Sequence, residues 1–376
     1  MASQGNLIKL LAIFCASAHY LFAAHYYLYV GNYGNGIQAL RCDSTALTLE
    51  PIGMVGEMPR PSFLALHPNG RFLYAVSELG NDGKSEGYVY AFAIDSATGQ
   101  LSLLNKQASG GGGACHLVVD KTGKFLLVAN YGTGSAASFP LAADGRIGAA
   151  QAKIQFAGSG PNAKRQRGPH AHAVVLSPDN RFLFVPDLGT DRIHILRFDD
   201  STGSLTAGGN DEAAVKAGAG PRHFTFTPTG RFAYAIDEMG SSVTAFGYDA
   251  GSGSLSALAA YSTLPDGFSG ENNSAEIRVD PKGRFLYASN RGHDSIAVFS
   301  INGKDGQLTR IQIAGSGGHT PRNFTLDPTG EYVAVANQDS NNIVLFKRDS
   351  QTGQLAATDK VATAPSPVCL LFVPAP

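Results

Sequence analysis

The 376-residue sequence predicts an all-β fold, a seven-bladed β-propeller, on three observations. A strand–turn–strand unit recurs along the chain, its copies lie roughly 50 residues apart, and fragments at the two ends add up to one further copy. The unit is clearest in Gly168–Asp191, GPHAHAVVLSPDNRFLFVPDLGTD. One apolar run leads into Ser177-Pro178-Asp179-Asn180 and a second, Phe182–Val185, leads out, which reads as a hairpin. Proline presets φ for a type I turn, and Asn180 suits the left-handed position that closes it.

In chain order the copies are Pro61–Glu78, Cys115–Tyr131, His170–Leu188, Pro221–Glu238, Ala275–Arg291 and Pro321–Gln338. Their turn residues, Gly70, Gly123, Asn180, Gly230, Gly283 and Gly330, are spaced by 53, 57, 50, 53 and 47 residues. A third apolar run follows most copies (Ile193–Leu196, Val243–Phe246, Ile296–Phe299), and a turn such as Asp200–Leu205, DSTGSL, introduces a fourth. Four strands per period of this length is a propeller blade, and no sustained helical periodicity competes with it. Ser366–Phe372 reads as a first strand with no turn after it, and Tyr26–Leu40 as second and third strands with no first. Joined in one blade, the two ends supply the seventh copy and close the ring, which removes the exposed sheet edges. A single domain over 25–376 is expected, with the glycine-rich stretches Ser109–Gly113 and Gly158–Gly168 as inter-blade loops.

Composition agrees with a turn-rich globular protein: 43% hydrophobic residues, 16% charged residues and 45 glycines. The net charge is −1 and the basic residues are scattered, so a nucleic-acid partner is not expected. Residues 1–24 pair an apolar centre, within Leu7–Ala24, with a small-residue end and no acidic residue before Asp43, and read as a secretory signal peptide. A periplasmic or secreted protein is the expectation; uncleaved, the segment is an extension of a cytoplasmic one. Lys9 and His19 interrupt the apolar run, so a permanent transmembrane helix is not expected, nor is stable membrane insertion once the signal is removed. Cys42, Cys115 and Cys369, left once Cys15 departs with the signal, are odd in number and form no CxxC pair. They read as buried free thiols rather than a disulfide framework or zinc site.

Function is sought where aligned blade positions stop being apolar. Six residues before the turn proline stand Ser62, His116 (with Thr122 in the proline's place), His172, Arg222, Ala275 and Arg322. Ending the second strand stand Tyr33, Glu78, Tyr131, Leu188, Glu238, Arg291 and Gln338. The first strand begins and the second ends at the same rim, so both sets should ring one mouth of the central channel. His170 and His172, two residues apart, face one side of a strand, and either imidazole suits a general base near neutral pH. Arg222, Arg291 and Arg322 offer planar charged forks for a carboxylate, a phosphate or a developing oxyanion. Glu238 can orient an imidazole, hold a water or act as base. HxH is also a metal-ligand spacing, but opposing arginines make a cation unwelcome, and no metal or cofactor is expected. Glu78 and Arg291 also admit a structural ion pair between blades, and His116 and His223 a structural role beside the rim.

The motifs Gly168–His172 (GPHAH), Pro221–Phe226 (PRHFTF), Ile236–Val243 (IDEMGSSV) and Ser289–Ile296 (SNRGHDSI) make the chain, from about Tyr26 onward, resemble the 6-phosphogluconolactonase family of seven-bladed propellers. The fungal carboxymuconate-lactonizing enzymes belong to the same family. The resemblance implies a carboxylic-ester hydrolase that opens a sugar lactone without metal or organic cofactor. The family's His, Glu and two Arg would fall on His172 (or His170), Glu238, Arg222 and Arg291 as catalytic residues. His170, Tyr33, Glu78, His116 and Arg322 are expected to contact the small-molecule sugar lactone. An exported protein would meet an aldonic lactone rather than the cytoplasmic 6-phospho sugar. On this reading, Glu238→Gln and His172→Ala each cut turnover with little loss of melting temperature. The competing class is a non-enzymatic secreted propeller that serves as a binding scaffold, since LYASNRGHDSIAVF also resembles surface-layer repeats. Polar rim residues concentrated between Gly168 and Gln338 favour an enzyme, because near-identical scaffold blades would share one rim.

Overall fold

A computed structural model of the chain describes residues 25–43 and 46–376, so the expected signal peptide lies outside the described residues. Among the described residues there are seven four-stranded antiparallel sheets. Blade 1 joins Pro367–Pro374 to His25–Asn32, Gly36–Asp43 and Thr48–Glu57, so the expected closure of the ring by the two ends is observed. Blades 2 to 7 span Pro61–Ala108, Ala114–Gln155, Val175–Ala214, Pro221–Ser262, Asn273–Gly315 and Pro321–Thr363. Serine-to-glycine 109–113 and the stretch 158–168 connect blades 2 to 3 and 3 to 4.

First strands of neighbouring blades pack together around the channel, and the second strands are buried along almost their whole length. Strand-two runs such as Phe72–Ser77 and Phe125–Asn130 therefore read as nearly continuous apolar segments rather than alternating ones, as both faces are covered. The hairpin turns have the predicted left-handed residue: Asn180 at φ 65°, and the aligned glycines between 68° and 73°. The DxxTG turns hold blades together. The glycines of these turns sit at φ near 75° against an aromatic ring of the preceding blade; a Cβ on Gly253 would come within 2.5 Å of Phe182. Their carbonyls accept from buried tyrosines, as in Tyr29 to Gly99, 2.9 Å, and Tyr234 to Gly306, 2.9 Å. Each such bond satisfies a buried phenol and pins one blade to the next.

All seven innermost strands carry extra residues opposite the end of strand two. Val368, Ser62, Cys115, Arg222 and Arg322 are single-residue bulges, and blade 6 places Ala275 and Glu276 opposite Ser289 alone. A bulge turns a side chain out of the regular alternation, and the bulged Cys115 and Arg322 line the channel mouth. Blade 4 breaks more deeply. His172 donates its N–H to the Pro186 carbonyl, but Pro186 has no N–H to return, so the regular ladder begins only at Val175. The freed His172 carbonyl accepts instead from the Cys115 thiol, 3.3 Å away. Proline in strand two thus releases the segment that carries His172.

Candidate active site

The channel mouth opens into a cavity of about 420 Å³ lined by Tyr33, Arg60, Glu78, Asn81, Cys115, Tyr131, Arg165, His172, Glu238, Asn273, Arg291 and Arg322. This size falls within the roughly 300–1,000 Å³ of small-molecule sites. Its buried centre is Glu238, whose side chain is 5% exposed. Arg165 donates to Oε1 at 2.7 Å, and Arg291 reaches Oε2 at 2.8 Å. Arg222 Nε stands 3.1 Å from Oε2, at ion-pair distance but not aligned for a hydrogen bond. Burial pushes the Glu238 carboxyl up, but Arg291 and Arg222 outweigh it and hold the group well below the usual carboxylate range. Glu238 is therefore a permanent anion and a poor proton acceptor.

His172 Nε2 lies 4.0 Å from Glu238 Oε2, while Nδ1 is buried without a partner. Burial and then Arg222 hold this imidazole well below its ordinary value, against the opposing pull of Glu238. It is neutral at physiological pH, with the protonated form destabilised everywhere except toward the carboxylate. A histidine ring signal that follows pH should show this directly. The His172 resonances are expected to stay unmoved as pH falls through 6.5, and a midpoint near 6.5 would contradict the burial described here.

The cavity floor is a layer of paired groups. Arg222 donates through Nη1 to the Ala275 carbonyl (2.7 Å) and stands 3.2 Å from His223 Nε2. His223 Nδ1 is 3.2 Å from Glu276 Oε1, which places the imidazole proton on Nδ1. Phe63 and His116 pack beside them with tilted rings, their centroids 4.0 Å apart. Below this floor lies a second cavity of about 450 Å³ that includes Phe63, His116, His223 and Glu276 in its walls.

The structure brings Tyr33, Glu78, His172, Glu238, Arg291 and Arg322 together at the mouth, with Arg222 immediately beneath. It does not bring in two of the expected residues. His116 lies in the floor, opposite Ala129, in the register that His223 holds opposite Ile236. Lys121, not Thr122, stands in the turn proline's place, so the bulged mouth residue is Cys115. His170 stacks on Tyr131 at 4.4 Å and bonds its carbonyl through Nδ1 at 2.9 Å, outside the cavity wall. His172 meets the same Tyr131 ring edge-on at 5.3 Å, so the two histidines flank one tyrosine. Arg291 is paired with Glu238, and Glu78 instead accepts from Asn81 (2.9 Å) and the Tyr33 hydroxyl (3.2 Å). Arg165 and Arg60 were not foreseen. Arg165 rides on an inter-blade loop, where the only sequence signal is the basic run Lys164–Arg167 directly before GPHAH. Among the described residues, no group of three or more His, Cys, Asp and Glu side chains is placed to hold a metal ion.

Comparison with known proteins bears on this arrangement. Residues 27–372 match the family described as lactonase, 7-bladed beta-propeller. The chain is 39% identical over 308 residues to the 6-phosphogluconolactonase of Formosa agariphila, covering 79% of this chain and 85% of the relative. It is 34% identical over 300 residues to that of Bacillus subtilis, covering 79% and 83%. The structure of the Pseudomonas aeruginosa periplasmic gluconolactonase superposes with a TM-score of 0.87 at 32% identity, over 94% of this chain and 100% of that one.

Proposed function

The chain belongs to the seven-bladed β-propeller lactonase family, and on that footing we propose that it hydrolyses the ring ester of a sugar lactone, 6-phosphogluconolactone or a related aldonolactone, to the open acid. One observation carries the reading: the buried imidazole of His172 stands 4.0 Å from the buried carboxylate of Glu238, inside a cavity rich in guanidinium. In the proposed step His172 Nε2 removes a proton from water as the water oxygen attacks the lactone carbonyl. The imidazolium that forms lies 4.0 Å from Glu238, which stabilises charge only at that moment. Arg291, held at the rim by the carbonyls of Asn273 (3.3 Å) and Ser274 (3.0 Å), faces the oxygen that becomes negative. Collapse then expels the ring oxygen, which takes the proton from His172. Asymmetry supports an enzyme over a scaffold, because these groups occupy blades 4 to 6 on one side of the mouth. The proposed site of action is outside the cytoplasm, following the signal-like 1–24.

The test is acid release followed with a pH indicator, on full-length protein and protein lacking 1–24, with chelator present. Hydrolysis of 6-phosphogluconolactone or δ-gluconolactone above the spontaneous rate is expected in both forms. A well-folded sample that accelerates neither lactone would overturn the assignment, and acceleration abolished by chelator would overturn its metal independence. Recovery of the native protein only from the cytoplasmic fraction would remove the export proposal.

A further inference from the structure

The mouth cavity divides into two electrostatically unlike halves. On the side of blades 4 to 6, three guanidiniums, from Arg165, Arg222 and Arg291, share Glu238 as counter-ion, and Arg222 and Arg291 also donate to backbone carbonyls. Across the mouth, on blades 7, 1 and 2, the side chains of Arg322, Tyr33 and Arg60 meet. The Arg60 guanidinium carbon lies 4.7 Å from the Tyr33 ring centroid, and that of Arg322 lies 5.4 Å from the same centroid. Two cations thus flank one ring. Among the described residues Arg60 uses only Nε, donated to the Glu78 carbonyl at 2.9 Å. Arg322 makes no hydrogen bond or ion pair with the protein among the described residues, although it lines the cavity and is half-buried. The nearby carboxylate, Glu78, is engaged by Asn81 and Tyr33 instead. Burial raises the Tyr33 hydroxyl to about 12, so the phenol stays protonated and offers no charge of its own.

Guanidinium donors withdrawn from bulk water without an acceptor are costly, and the acceptors they match best are planar or tetrahedral oxyanions. We propose that Arg60 and Arg322 form an oxyanion subsite, which holds a phosphate or carboxylate substituent of the lactone on the far side of the mouth from His172. The inference rests on the lactonase reading and names its substrate class: lactones with an anionic group remote from the ring carbonyl. Cation–π contact with Tyr33 presets both forks, and Asn81 and Tyr33 keep Glu78 from competing for them.

Binding of the open acids tests the subsite without turnover. Gluconate, glucarate and 6-phosphogluconate differ only in carrying a hydroxyl, a carboxylate or a phosphate ester at the end remote from the reacting carbon. By calorimetry the wild-type protein is expected to bind at least one of the two remote anions about 10-fold or more tighter than gluconate, and the tighter of the two identifies the natural substituent. In Arg322→Gln and Arg60→Gly that preference should collapse by about 10-fold, with kcat/KM for the matching lactone lost through KM. Glycine is chosen at position 60 because the residue holds φ 48°, and glycine fills the same place as Gly113 and Gly220. Equal affinity for all three acids in the wild type, or variants that weaken all three alike, would overturn the subsite. Anion preference without any lactone hydrolysis would instead overturn the reading it rests on and leave the subsite standing; hydrolysis without preference does the reverse.

Discussion

Replacing Glu238 with Gln is expected to cost about 3–5 kcal/mol of folding stability as well as most of the turnover. The sequence alone suggests a catalytic substitution with little thermal penalty, and the structure revises this. One carboxylate, 5% exposed, is the shared counter-charge of Arg165, Arg222 and Arg291. An amide of the same shape leaves three guanidiniums crowded without a counter-charge, and Arg322 already repels both Arg222 and Arg291. The pH dependence carries its own sign. The folded-state pKa of Glu238 is depressed, so its contribution is present above the ordinary glutamate value and is lost as pH falls through the folded one. Denaturation of wild type and Glu238→Gln should therefore differ most near neutrality and converge in strong acid. A variant as stable as wild type at pH 7 would mean that the arginines are neutralised by something other than this carboxylate. Turnover should drop by roughly 10²–10³, the loss typical of one electrostatic stabiliser of a developing charge.

His172→Ala should show the opposite balance, with a rate loss of about 10²–10⁴ and a nearly unchanged melting temperature. Its Nδ1 is a buried nitrogen with no partner, so deleting the ring removes an unsatisfied polar group along with its contacts to Tyr131 and His223. The two effects offset in stability but not in catalysis. The loss should fall on kcat, since a base acts on water rather than on the lactone, and added imidazole should restore part of it. A His172→Ala enzyme with wild-type kcat would exclude this residue as the base.

The architecture was legible because blade repeats advertise themselves: each buried second strand is an apolar run, and each turn must place glycine or asparagine at positive φ. The same alignment located His172, Arg222, Glu238, Arg291 and Arg322, since residues that depart from a repeated core answer to something other than the core. It failed at His116 for a definable reason. Counting from the turn proline is unsafe where that proline is missing; counting from Gly123 lands on Cys115, the residue that the bulge turns into the mouth. Arg165 could not be found this way, because an inter-blade loop has no aligned partner against which to look unusual. Nor does linear spacing tell which arginines are already neutralised, and that distinction separates the half of the cavity around Glu238 from the half around Tyr33.

Closure of the ring has a consequence for which parts of the chain build the cavity. Tyr33 follows a strand whose channel-side neighbour is Pro367–Pro374, supplied by the opposite end of the chain. Residues His172, Arg222, Glu238 and Arg291 are all synthesised long before that strand emerges from the ribosome. A prematurely terminated chain would contain them all and still lack the latch that seats Tyr33 between Arg60 and Arg322. The strand that completes blade 1 beside Tyr33 thus comes from a part of the sequence far downstream of His172 and Glu238, which line the same cavity.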